Sequence, residues 1–245
     1  MAAMHSPLEQ FEIKPLIPLH LGDIDVSITN STLWMAIGIS AVTVFMISAM
    51  RSQSLVPGRM QSMAELAYEF IANLIRENAG NQGRVFFPYI FTLFMFIFAM
   101  NVLGTVPGSF TVTSHIVVTF TLAFCTWAGI TVFGFMKHGP KYLKLFVPSG
   151  VPFALVPPLV VIELLSYLIR PFSLSIRLFA NMMAGHTMLK VFASFVVMLG
   201  VLGGWAPLVL LIALTGLEIG IAMLQAYVFT VLTCIYLNDA IHPGH

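Results

Sequence analysis

Long uncharged apolar runs separated by short polar breaks set the rhythm of this 245-residue chain. About 20 apolar residues in a row cross the ~30 Å hydrocarbon layer of a bilayer. Five runs reach that length, at about 31–50, 85–104, 114–136, 155–199 and 207–237. Asn30 or Ser31 is a plausible cap for the first. Val85 to Met136 contains no Asp, Glu, Lys or Arg and is too long for one crossing. Gly104, Pro107, Gly108 and Ser109 divide it into two spans. Gly200, Gly203, Gly204 and Pro207 separate the last two. Between the first and second spans, residues 59–78 follow another pattern. Met60, Met63, Leu66, Ala67, Phe70, Ile71, Leu74 and Ile75 recur at helical spacing, with Glu65, Glu69, Asn73, Arg76 and Glu77 opposite. That pattern predicts an amphipathic helix lying along the membrane interface. The fold class is all-α integral membrane: five transmembrane helices and one interfacial helix. Residues 1–30 form an extracytoplasmic segment and 31–245 a single membrane domain.

Composition agrees and adds an orientation. The chain is 58% hydrophobic and 9% charged, against about 25% charged residues in an ordinary soluble domain, so lipid must solvate much of it. A net charge of +1 excludes a nucleic-acid partner. Cys125 and Cys234 sit in separate apolar runs with no metal or redox spacing. The first thirty residues carry Glu9, Glu12, Asp23 and Asp25 against Lys14, which is not the basic start of a cleavable signal. Arg51, Arg59, Arg76 and Arg84 surround the amphipathic helix, and Lys137, Lys141 and Lys144 fill one further loop. The loops at Gly108 and Gly203 have no Lys or Arg. The positive-inside rule puts both basic regions in the cytoplasm, the N-terminus outside and the C-terminus inside.

Charge and length converge on the last two runs. Leu155–Leu199 would be roughly 67 Å of helix and Pro207–Leu237 about 46 Å, both longer than a bilayer requires. The first of them is either broken near Pro171 or steeply tilted, and two over-long neighbours suggest a tilted hairpin. At about 100° per residue, Glu163, Arg170, Arg177 and Asn181 share one stripe, with His186 and Lys190 on the other side. Ser166, Ser173 and Ala184 beside Arg177 leave room for another helix. On the last helix Glu218, Gln225 and Tyr236 share a face, and Gly216 and Gly220 mark tight helix packing on roughly the opposite one. Arg177 falls near mid-span, where a charge costs ~2.5–3.5 kcal/mol even on the lenient insertion scale, and arginine cannot shed its proton. The bland alternative is a buried ion pair with Glu163 or Glu218. His186 and Glu218 lie at matching depths, so contact across the hairpin is expected. His5, His20, His138, His242 and His245 are read as solvated. No His, Asp or Glu set has metal-ligand spacing, and no cofactor is called for. A self-contained secondary transporter would show repeated halves, and none is present. An intramembrane enzyme using His186 and Glu218 would need a nucleophile or metal set.

The run Ser173-Leu-Ser-Ile-Arg177-Leu-Phe-Ala-Asn181-Met-Met-Ala-Gly-His186 closely resembles the signature of subunit a of the F-type ATP synthases. Leu224-Gln225-Ala226-Tyr227-Val228-Phe229 through Tyr236-Leu237 is similar to that family's closing motif, as is Glu163 fourteen residues before the arginine. Pro7-Leu-Glu-Gln-Phe-Glu-Ile13 resembles α-proteobacterial and mitochondrial members. His186 and Glu218 exchange the acid and histidine positions of some members, a mitochondrial-type arrangement. The resemblance implies a non-catalytic subunit with two offset proton half-channels, working against a c-ring and beside peripheral-stalk b-type subunits. It implies a bacterial inner membrane, or the mitochondrial inner membrane for an organellar chain. Arg177 would separate the half-channels and face the rotor carboxylate. Asn181, His186, Glu218 and Gln225 suit the outer half and Glu163 the cytoplasmic exit. Arg170, Ser173, Lys190 and Tyr236 are secondary candidates.

Overall fold

The computed structural model describes residues 11–18, 20, 21, 24, 25, 27–51, 54, 56–106, 109–146, 152 and 156–242. Leu155, Pro107, Gly108, Asp23, Glu9, His5, His245 and the side chains of His20, Asp25 and Lys144 lie outside them.

Helices dominate the described residues. α1 (Asn30–Arg51), α2 (Arg59–Ala79), α3 (Phe87–Gly104), α4 (Ile116–His138), α5 (Val156–Gly203) and α6 (Trp205–Ile241) follow in order, with 3-10 turns at Asn81–Phe86, Val112–Ser114 and Gly139–Phe146. Five segments are long and apolar enough to cross a membrane, those carrying α1, α3, α4, α5 and α6. α2 is the amphipathic helix. The boundaries follow the apolar runs closely because each run ends where polar or turn residues begin. The cap of α1 is Thr29, whose Oγ1 accepts the Thr32 amide at 3.4 Å. Asn30 is otherwise engaged.

α5 is continuous through Pro171. The missing proline amide leaves the Tyr167 carbonyl without its helical donor, yet the helix does not stop there. The departure from helical geometry is at Gly200, with φ 62° and ψ −163°. That positive φ is open to glycine and strained for other residues.

The chain forms two compact units. One comprises Met1–Phe45, Met95–Val118 and Leu178–Ala226, the other Met46–Phe94, Thr119–Arg177 and Tyr227–His245. The boundaries cut α5 between Arg177 and Leu178 and α6 between Ala226 and Tyr227.

In the first unit, Met100, Phe110 and Val112 form a core packed by Trp34, Met35, Phe96 and Val118. A Cβ on Gly38 would fall 1.8 Å from Met100 Cε, so α1 lies close against the α3 side chains. The N-terminal residues, for which the sequence suggests no element, form short antiparallel ladders. β1 (Pro15–Ile17) pairs β4 (Ile28–Thr29), and between them β2 (His20–Leu21) pairs β3 (Ile24–Asp25).

In the second unit, Ile71, Leu74 and Ile75 of α2 are buried, whereas Met60, Met63 and Leu66 are exposed. The apolar stripe of α2 is thus divided between protein and surroundings. α6 buries Phe229, Thr233 and Leu237 here and continues the stripe as Glu218, Ala222 and Gln225 in the first unit. Gly134 accommodates the Tyr142 ring, since a Cβ there would lie 2.4 Å from Tyr142 Cε2. Large apolar side chains such as Val132, Ile169, Val197 and Ile212 point outward and are more than half exposed. Apolar surface on that scale requires lipid or a partner.

Candidate functional site

Two polar clusters stand out, one in each unit. In the first, His186 Nε2 lies 2.6 Å from the Gly104 carbonyl oxygen. That oxygen only accepts, so Nε2 carries a hydrogen. Nδ1 lies 3.0 Å from the Met182 carbonyl and 2.5 Å from Glu218 Oε1. Glu218 is 4% exposed, and no described donor other than that imidazole approaches its carboxylate. Either the ring is an imidazolium beside a carboxylate, or Glu218 is protonated and donates to Nδ1. In both forms Nδ1 and Oε1 lie close enough for a proton to pass between them.

Two cavities flank this pair. One, of about 330 Å³, is lined by His186 with Thr105, Ser109, Lys190 and Thr215. The other, of about 170 Å³, is lined by Glu218 with Asn181, Gly185 and Leu214. The histidine borders one space and the acid the other. Gly185 makes the approach possible: a Cβ there would meet Glu218 Oε1 at 2.8 Å.

The second cluster joins the N-terminal part of α5 to the C-terminal part of α6. Arg170 Nη1 donates to Asp239 Oδ2 at 2.8 Å. The guanidinium lies 5.2 Å from the Tyr167 ring centre and 4.7 Å from that of Tyr236. The Tyr167 hydroxyl reaches those of Tyr142, at 3.1 Å, and Thr131, at 2.5 Å.

A family model described as the ATP synthase A chain matches residues 31–238. The chain belongs to the ATP synthase A chain family. A relative from Parvibaculum lavamentivorans named "ATP synthase subunit a" is 58% identical, covering 98% of this chain and 94% of that protein. Proteins of the same name from Rhodospirillum rubrum and Pelagibacter ubique are 55% and 54% identical, covering 98% of this chain and 99% of each. As an ATP synthase A chain it is a multi-pass, non-catalytic membrane subunit that works in a complex with other subunits.

Within this A chain, the structure brings some of the sequence candidates together. His186 and Glu218 touch, with Lys190 and Asn181 on the adjoining cavity walls. Arg170 and Tyr236 share the second cluster. Gln225 is buried on the Glu218 face of α6. Other candidates stand alone. Arg177, the twenty-second of the 48 residues of α5, is exposed and forms no hydrogen bond or ion pair among the described residues. The internal ion pair suggested as the bland alternative is therefore not formed. Glu163 is half-buried without a described polar partner, and Ser173 is exposed, as are Ser166 and Ala184.

Two expectations need correction. The tight packing expected at Gly216 and Gly220 is not formed among the described residues: both are exposed and a Cβ at either would meet nothing within 4 Å. His138, expected to be solvated, instead has its Nε2 3.0 Å from the Ile241 carbonyl, because the α6 end leaves acceptors unsatisfied.

Sequence reasoning missed four residues. Asp239 reads as a lone acid near the chain end, Tyr167 as one more apolar aromatic, and Gly185 as a spacer. Asn101 is a single amide in an apolar run, yet it is fully buried and donates to the Ala222 carbonyl at 3.1 Å. Outside the spans, burial pushes the His115 imidazole below its ordinary value, and its ring stacks on Phe110 at 5.1 Å.

Proposed function

We propose that this chain supplies the two offset proton half-channels of a rotary ATP synthase, with Arg177 as the charge that keeps them apart. The reading rests above all on Arg177, a permanent cation midway along an apolar helix, exposed and with no hydrogen bond or ion pair among the described residues. Such a charge in hydrocarbon is costly unless a partner presents an acid. The exposed Ser166, Ser173 and Ala184 leave space beside it for a partner helix. A self-contained transporter would carry its own counter-charge. The partner that fits is the c-ring, whose subunits each present a carboxylate in the membrane. In lipid that carboxylate must be protonated, whereas beside Arg177 its ionised form is favoured.

Water in the larger cavity meets His186, the shared proton passes to Glu218, and the smaller cavity carries it past Asn181 toward the rotor. Gln225 extends the buried polar face of α6, and Glu163 serves the exit. Arg170, Ser173, Lys190 and Tyr236 border these routes. Peripheral-stalk b-type subunits are the expected neighbours among the stator chains. The chain sits in the bacterial inner membrane, or its mitochondrial counterpart, with residues 1–30 periplasmic, 31–245 one membrane domain and the C-terminus cytoplasmic.

The test replaces Arg177 in the assembled complex. Arg177→Ala abolishes ATP-driven proton pumping. Arg177→Lys fails to restore it fully, because a compact ammonium lacks the guanidinium fork and can lose its charge. Pumping at the unmodified rate in either variant refutes the assignment.

A further inference from the structure

We infer that Phe11, held in place by Asn30, is a positioning residue that covers the His186 ring and leaves the larger cavity as its route to water; the inference rests on the relay reading of His186.

The contact comes from outside the helices. The Phe11 ring centre lies 6.5 Å from that of His186, with the planes tilted by 57°. At that separation the rings pack as an aromatic pair. Phe11 sits at the start of the N-terminal ladder segment, and Asn30 fastens that segment to the first turn of α1. Asn30 Nδ2 donates to the Glu12 carbonyl at 3.0 Å, its Oδ1 accepts the Lys14 amide at 3.2 Å, and its own amide donates to the Lys14 carbonyl at 3.1 Å. One side chain at the head of a membrane helix thereby fixes both residues that follow Phe11 by one and three positions. Nothing in the relay itself requires this arrangement, since Gly104, Met182 and Glu218 already satisfy the polar edge of the ring.

The consequence follows from what a covered ring can do. With a phenyl ring packed on the imidazole, water reaches His186 from the cavity bordered by Thr105, Ser109, Lys190 and Thr215. The ring is also kept from rotating Nδ1 away from Glu218. Among the described residues, the charged groups facing His186 are Glu218 from α6 and Lys190 one turn further along α5, with Glu12 and Lys14 exposed on the N-terminal segment. Removing Phe11 alters none of these charges, so a change in pH response reports ring placement and hydration.

The experiment uses the assembled, reconstituted complex carrying Phe11→Ala, Phe11→Tyr or Asn30→Ala. Diethylpyrocarbonate carbethoxylation of His186 is followed by mass spectrometry, and proton-driven ATP synthesis is measured against outer pH. Phe11→Ala and Asn30→Ala raise the labelling rate several-fold and move the outer-pH profile, while Phe11→Tyr restores both. Unchanged labelling in both Phe11→Ala and Asn30→Ala, or altered labelling with an unmoved profile, overturns the inference. Asn30→Ala keeps the aromatic ring and Phe11→Ala keeps the fastening, so loss of assembly in one leaves the other decisive. The relay reading fails separately: His186→Ala with normal turnover would remove it without touching the labelling comparison.

Discussion

One backbone oxygen fixes how the His186 ring presents itself to Glu218. Because the Gly104 carbonyl lies 2.6 Å from Nε2 and only accepts, Nε2 carries a hydrogen, and Nδ1 is left facing the Met182 carbonyl and Glu218 Oε1. The two side chains touch, so the effects of removing them are expected to be coupled. Taking away one partner of a buried pair leaves an uncompensated charge or an unmet donor, an effect on the order of 3–5 kcal/mol for full burial. His186→Ala and Glu218→Ala should each slow proton-driven turnover severely while the complex still assembles. The double variant His186→Ala with Glu218→Ala should be far less impaired than the two losses multiplied, since the second removal deletes the group that the first left stranded. Rates in reconstituted vesicles decide it, and simple multiplication of the two losses shows that the residues act independently. Sequence spacing places these two residues at matching depths. It did not expose Gly185, whose missing side chain admits the carboxylate, because a glycine beside a histidine carries no pattern of its own.

At the scale of the elements, α5 and α6 are tied within the second unit by Arg170 and Asp239. The two side chains are 22% and 29% exposed, so the ion pair contributes about 1 kcal/mol or less, with each ring adding about 0.5–1 kcal/mol of cation–π attraction. Exchanging the charges tests whether the pair is the fastening. Arg170→Asp or Asp239→Arg alone places like charges together and should lower the thermal midpoint of the complex by several degrees. Arg170→Asp combined with Asp239→Arg should recover part of that loss, but not all, because the guanidinium then leaves its place between Tyr167 and Tyr236. A double variant less stable than both singles would mean that the pair does not hold the helices. The helices were legible because apolar runs and turn residues agree in length and position. Pro171 was ambiguous, because a proline marks a missing hydrogen bond and tertiary packing decides whether the helix breaks. The ladders at 15–29 were illegible: strands of two or three residues are too short to show alternation, and their registry depends on Asn30.

For the whole chain, loop charge carries the orientation and helix-borne charge carries the chemistry, and the two are read from different residues. Depth, neighbouring small residues and the surrounding motif single out Arg177 in the sequence, but its lack of an ion-pair partner among the described residues shows only once the other charges are placed: His186 with Glu218, and Arg170 with Asp239. Asp239 was invisible as a partner because its separation from Arg170, 69 residues in sequence, is set by the hairpin of the two long helices. Orientation has its own test. The α3–α4 connection contains no Lys or Arg, whereas the end of α4 and the segment after it carry Lys137, Lys141 and Lys144, and short loops rich in Lys and Arg stay in the cytoplasm. Val106, 51% exposed, and Lys141, also exposed, are suitable cysteine positions at these two places. Cys125 is exposed and Cys234 buried, so both are first replaced by alanine to leave a silent background. In membranes of known sidedness, Val106→Cys should react with an impermeant thiol reagent from the periplasmic side only, and Lys141→Cys from the cytoplasmic side only. Quenching from the opposite face should leave each unaffected. The reversed pattern would invert the chain, placing His186 and its larger cavity on the cytoplasmic side and exchanging the entry and exit routes, while the contacts within each unit would stand.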